Sequence, residues 1–129
     1  MQVIGEARHS VQVAAYGFTS KPIAQALIAA HSGGVEVEAV LDKSNATHRT
    51  EAGDLAAAGV PVRIDAWYAI MHDKFIVIDG VTVETGSFNY TRAAENNNSE
   101  NVLILRNDPA TAARYEAERQ RLWSESQST

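Results

Sequence analysis

The sequence predicts an α/β fold, one mixed β-sheet with helices packed on both faces. Three observations predict it. Short apolar runs alternate with helix-like segments through the first half of the chain. The second half carries an apolar run closed by Asp79-Gly80, the strongest short-range signal for a hairpin. At 129 residues the chain suffices for one core and is too short for two. Residues 1–124 are therefore read as a single domain, and residues 125–129 as a disordered tail.

The first residues, MQVIGEARHS, read as the last turns of a helix leading into a strand. VQVAAYGF, Val11 to Phe18, is that strand. A helix follows in TSKPIAQALIAAHSGG, where Ser20 can cap it, Pro22 sits in its first turn and Gly33 or Gly34 can end it. Ile23, Leu27 and Ala30 share its inner face. VEVEAVLD alternates with period two, as a strand does, before a short helix in RTEAGDLAAAG and a short strand in VPVRID. Met71 to Ile78 is the next strand, and VTVETGS returns antiparallel to it. Past the polar stretch TRAAENNNSE, in which Asn96-Asn97-Asn98 reads as a solvated loop, NVLILR forms one more strand. Asn107 or Asp108 caps a last helix that has Pro109 in its first turn and runs to about Trp123.

Composition narrows the chemistry. Hydrophobic residues are 45% and charged residues 21%, ordinary values for a globular domain. No cysteine is present, so a disulfide, a thiolate nucleophile and a thiolate metal site are all excluded. No apolar run approaches a membrane span, and the N-terminal residues lack the pattern of a signal peptide. As written, the chain reads as cytoplasmic; a leader preceding it would make it periplasmic or secreted. A net charge of −5 disfavours broad electrostatic binding of a polyanion, so any such substrate must meet a local cationic patch.

MHDKFIVIDG supplies the candidates for that patch. His72 and Lys74 stand at the mouth of a strand that is apolar on both faces. If Asp79-Gly80 is a two-residue loop, Ile78 faces Val81, Lys74 falls opposite Thr85, and His72 falls opposite Ser87. Directly paired residues share a face, with Cβ atoms roughly 4.5–5.5 Å apart. His72, Lys74, Thr85, Ser87 and, on a longer strand, Asn89 then line one patch. Asp79, in the turn at the far end, cannot reach it. An imidazole, an ammonium, hydroxyls and a carboxamide suit a phosphoryl group. Glu100, entering the next strand, is placed to orient His72 from behind.

Taken one at a time, these residues have plainer readings. A single histidine at a strand end is usually packed or solvated, and a single lysine there guards an edge. Ser87 and Asn89 suit an ordinary turn after Gly86. Their convergence on one face favours a site. Metal is not expected, because alternation scatters His72, Asp73 and Glu84 over both faces and Lys74 repels a cation. His9, His31 and His48 are read as surface residues.

The spacing His72-x-Lys74-x-x-x-x-Asp79, followed by TGSFN (Thr85 to Asn89) and NSEN (Asn98 to Asn101), resembles the phospholipase D superfamily. Within it the chain is similar to small bacterial endonucleases that carry one motif per chain; AAYGFTS and VLDKS share the likeness. The resemblance implies an α-β-α sandwich and hydrolysis of DNA or RNA phosphodiesters without metal or cofactor. It makes His72 the nucleophile, forming a phosphohistidine. Lys74, Asn89 and Ser87 would bind the phosphoryl oxygens, Glu100 would hydrogen-bond His72, and Asp79 would be structural. One motif per chain implies a homodimer joined through the active-site face, with the second His72 as general acid. Such relatives also carry a further strand ahead of the first helix, which this chain would lack, and usually a secretory signal. Lys43, Arg49, Arg63 and Arg92 are candidates for a cationic rim. Two other functions fit the same pocket: a phospholipase acting on lipid, although no membrane-binding amphipathic face is evident, and a catalytically idle phosphate-binding or dimerisation module.

Overall fold

Ser20 caps the first helix by accepting a hydrogen bond from the Ile23 N–H at 3.3 Å, with Pro22 in the first turn and Gly33 at the C-cap. That helix, α1 (Lys21–Ser32), and the strands around it follow the expected order in this computed structural model, which describes residues 2–47, 50–96 and 98–128. A 3₁₀ turn (Gln2–Glu6) leads into β1 (Ser10–Ala15). After α1 come β2 (Glu36–Asp42), α2 (Ser44–Thr47), α3 (Ala52–Ala57) and β3 (Val62–Asp65). The second half holds β4 (Lys74–Ile78), β5 (Thr82–Gly86), α4 (Arg92–Asn96), β6 (Val102–Leu105), α5 (Pro109–Glu125) and β7 (Gln127–Ser128).

One mixed sheet results, in the order β6-β5-β4-β1-β2-β3-β7. β1, β2 and β3 are parallel, while β4 runs antiparallel to β1. β5, β6 and β7 each run antiparallel to their neighbours. Side-chain alternation divides the core. Val11, Val13, Ile76 and Ile78 pack beneath α1 and α3 with Leu27 and Leu55. Ala14, Val40, Phe75, Val77 and Val83 pack beneath α5 with Leu122. α5 is also tied down by Arg119, fully buried, which meets Glu38 of β2 at 3.1 Å and Glu116 at 3.0 Å.

Three expectations need correction. Asp79 and Gly80 do form a tight turn, with φ of 55° and 68° and a hydrogen bond from Val81 N to Ile78 O. Val81 nevertheless drops out of the ladder, because its carbonyl accepts from Asp108 N at 2.7 Å, at the cap of α5. Ile78 therefore pairs with Thr82, and Phe75, not Lys74, pairs with Thr85. A slip of one residue reverses the face, so Thr85 turns toward α5 and leaves the patch. Second, β4 begins only at Lys74, so His72 lies in the loop before it. Third, the expected disordered tail is partly ordered: Glu125 ends α5, and Gln127 and Ser128 pair with Ile64 and Arg63 on the open edge of β3. The polar stretch after β5 also holds a short helix, α4, ending at Asn96.

Candidate active site

The sheet's directions gather the chemistry at one end. β1, β2, β3 and β5 finish there, and β4 and β6 start there. His72 is delivered by a loop pinned from β2. Asp42, buried at the end of that strand, accepts from Met71 N at 2.6 Å through one carboxylate oxygen and from Ser44 N at 3.0 Å through the other. Lys43 holds the same loop by donating to the Tyr68 carbonyl at 2.9 Å. Met71 is buried while His72, the next residue, is exposed. The imidazole leans on Tyr16, at the end of β1, with ring centroids 4.8 Å apart in an edge arrangement.

Lys74 completes the pair. Its Nζ donates to the His72 carbonyl at 2.8 Å and lies 3.1 Å from Nδ1 and 3.3 Å from Nε2 of the ring. A ring nitrogen accepts from that ammonium only where it carries no proton, so which nitrogen takes the contact depends on the tautomer. Burial pushes the Lys74 ammonium below its ordinary pKa, against the opposing pull of Asp73 and Glu100. Asp73 is pushed up, first by burial and then by Glu118, with Arg121 opposing.

Ser87, Asn89 and Glu100 come from the far side of the site. Gly86, at φ 155°, lets the backbone of β6 approach so closely that a Cβ there would stand 2.3 Å from the Asn101 carbonyl oxygen. Ser87 N donates to that carbonyl at 3.1 Å. The Ser87 hydroxyl donates to Glu100 Oε1 at 2.7 Å and accepts from Asn101 N at 3.1 Å. Glu100 thus meets Ser87; among the described residues it makes no hydrogen bond to His72, contrary to the orienting contact expected. Asn89 follows, half-buried, and its Oδ1 has no hydrogen-bond partner among the described residues.

Asp79 lies at the opposite end of the sheet, five residues or roughly 17 Å of strand from Lys74. It accepts from the backbone N–H groups of Arg8, His9 and Ser10 at 2.7–3.1 Å. Burial pushes its carboxyl up, but these donors, Ser10 foremost, outweigh burial and hold it below the usual carboxylate range.

Of the proposed rim, Arg63 is engaged elsewhere, donating to the Trp123 carbonyl at 2.7 Å and lying over the Trp123 ring. His48, Arg49, Asn97 and the Arg92 side chain lie outside the described residues. His9 is exposed and His31 half-buried. Sequence reasoning missed Tyr16 and Asp42, which place His72. The aromatic in AAYGF was the available signal for Tyr16.

Comparison with known proteins places the sequence and the fold. The family described as "Cardiolipin synthase, PLD-like domain" matches residues 1–123. The chain belongs to the phospholipase D superfamily. This phospholipase D-like chain is 40% identical to Nuc, a phospholipase D family member from Salmonella typhimurium; the match covers 99% of this chain and 86% of that one, with a TM-score of 0.95. It is 38% identical over 120 residues to the mitochondrial cardiolipin hydrolase of Xenopus tropicalis, covering 92% of this chain and 57% of that protein. A phospholipase D from Rickettsia bellii is 42% identical over 103 residues, 79% of this chain and 51% of that protein. The chain spans about half the length of the curated relatives it matches.

Proposed function

We propose that this chain is a phosphodiesterase that cuts DNA or RNA through a phosphohistidine, in a site completed by a second copy of itself. The observation that carries the reading is the pairing of an exposed imidazole with the Lys74 ammonium at the end of the sheet. A neutral imidazole has a lone pair to give, and the ammonium supplies the charge that draws a phosphoryl group against it.

A nitrogen of His72 attacks phosphorus, forming the N–P bond as the P–O bond to the leaving alcohol breaks. The partner's His72, entering as imidazolium, gives its proton to the departing oxygen. Water then attacks phosphorus and the N–P bond breaks. The proton that water loses passes to the partner's His72, which restores both imidazoles. Lys74 and Asn89 bind the non-bridging oxygens, and Ser87 supports them. Glu100 acts by holding the Ser87 hydroxyl and by its field on Lys74.

Exposed apolar surface supports the shared site. Trp67, Ile70, Val102 and Leu103 are large apolar side chains 42–75% exposed, and all four sit at the end of the sheet that holds His72. An isologous dimer about an axis through that end covers them while bringing two imidazoles to one phosphorus. Likeness to the small single-motif endonucleases supports nucleic acid, and the fold match extends over 86–87% of the chains of Nuc and of NucT from Helicobacter pylori. The names of the curated relatives favour a second reading, a phospholipid diester as substrate. No helix among the described residues is long and apolar enough to cross a membrane.

The test incubates the protein with plasmid DNA, single-stranded RNA and cardiolipin or phosphatidylcholine vesicles in parallel. Wild-type and His72→Ala subunits are also mixed to give single-histidine dimers. Nucleic acid should be cut and the mixed dimers should lose turnover, while still accepting phosphoryl label once at His72. Cleavage confined to the vesicles would favour lipid, and a fully active monomer in sedimentation would refute the shared site.

A further inference from the structure

One polar contact inside the core takes no part in the chemistry above. Glu84 lies mid-strand in β5 between Ile76 of β4 and Ile104 of β6, wholly out of solvent on the face that packs beneath α1 and α3. The Tyr90 hydroxyl donates to its Oε2, and its Oε1 has no partner among the described residues. Packing alone does not call for a carboxyl here, since an apolar side chain would fill the place without the cost of desolvation.

Its use lies in where Tyr90 stands, next in the chain after Asn89. Tyr90 is also knit to the turn after β1: its N–H donates to the Gly17 carbonyl at 3.0 Å, and its carbonyl accepts from Thr19 N at 2.8 Å and Ser20 N at 3.0 Å. Its ring sits edge-on to Phe18 and Phe88, at 6.4 and 6.2 Å. Gly17 packs so tightly here that a Cβ on it would lie 3.5 Å from Asn89 Cβ and 2.8 Å from Thr91 Cγ2. Tyr16, the residue before Gly17, supports the His72 ring. The short segment from Ser87 to Tyr90 thus has one anchor on β6 through Ser87, one on the β1 turn through the Tyr90 backbone, and one inside the core through the Tyr90 hydroxyl.

We propose that Glu84, acting through Tyr90, is a positioning residue that sets Asn89 toward the phosphoryl group and keeps it in register with Tyr16 and His72. This rests on the phosphate-binding reading of the site. Tyr90 is the only polar partner of Glu84 among the described residues, so the pair forms a closed unit that substitution can take apart from either side.

Inorganic phosphate binding, followed by calorimetry on the full chain, reads the Asn89 segment without requiring turnover. Hydrolysis of bis(p-nitrophenyl) phosphate reads kcat and KM. Tyr90→Phe should weaken phosphate binding and lower kcat by roughly tenfold, the ratio expected for the loss of one buried hydrogen bond. Glu84→Gln, whose amide oxygen accepts the same bond, should stay within about twofold of wild type on both readouts. The double variant Glu84→Leu/Tyr90→Phe orphans no polar atom, so it should regain the melting temperature that Tyr90→Phe loses while remaining roughly tenfold impaired. Recovery of activity together with stability would overturn the proposal, leaving the pair a matter of packing. So would Glu84→Gln being as impaired as Tyr90→Phe. A wild-type protein with no affinity for phosphate would overturn the phosphate site itself, and positioning with it.

Discussion

Glu84 should make the fold less stable as pH rises toward neutrality, and Glu84→Gln should abolish that dependence. Burial raises its carboxyl to about 7 from an ordinary 4.5, with the Tyr90 hydrogen bond opposing only in part. Between those values the folded chain holds a proton that the unfolded chain has released. Stability therefore falls as pH climbs from about 4.5 to about 7 and levels off above. At about 1.4 kcal/mol per pH unit over a gap of about 2.5, the loss is about 3 kcal/mol. The side chain is fully buried, so solvent does little to screen it. Urea melts of wild type and Glu84→Gln at pH 5, 6, 7 and 8 measure the difference directly. The two curves should diverge by about 3 kcal/mol toward pH 8, or roughly 10 °C in Tm for a chain of this size, with the variant the more stable. Other titrating groups cancel in the comparison. Parallel curves would mean that Glu84 ionises in the folded chain as it does in the unfolded one, and the account of its burial would be wrong.

His72→Ala should remove turnover entirely, because in a symmetric dimer it deletes nucleophile and general acid together; residual rates above 1% of wild type, as a rough bound, would assign the nucleophile elsewhere. Asp79→Asn should cost about 1–3 kcal/mol in denaturant melts through its three backbone donors, yet leave activity per folded molecule nearly intact. Cleavage should persist in EDTA, since Lys74 supplies the charge; loss on chelation with recovery in magnesium would contradict the mechanism. Leu103→Asp should shift sedimentation toward monomer and lower activity in step, because it places a charge in the apolar rim.

What the sequence made legible follows the range of the forces involved. Helix α1 was readable because Ser20, Pro22 and Gly33 act within a few residues of their targets. Strand β2 showed period two because one flank of the sheet half-exposes its start. The turn at Asp79-Gly80 was readable for the same local reason, but its register was not. The residue that leaves the ladder, Val81, is drawn out by a hydrogen bond from Asp108, distant in sequence. Likewise, nothing periodic marks a two-residue strand, so the pairing of Gln127 and Ser128 with β3 stayed hidden. In the site, His72, Lys74, Ser87, Asn89 and Glu100 were named from spacing and resemblance, and the structure brings Lys74 to His72 and Glu100 to Ser87. The Glu84–Tyr90 contact escaped because a glutamate in an alternating strand reads as solvent-facing until the opposite face proves to be covered as well.

The clamp at Asp79 has a consequence for how the molecule opens. Three consecutive amides, those of Arg8, His9 and Ser10, hang on one carboxylate at the end of the sheet remote from His72. Acid that protonates Asp79 frees the start of β1 while the apolar layers under α1 and α5 remain in place. Amide exchange at residues 8–10 should accelerate with falling pH well before exchange at Val13 or Ile76, as a separate low-energy opening of the fold. Fraying of that kind begins at residues 8–10, at the end of the sheet where no chemistry happens.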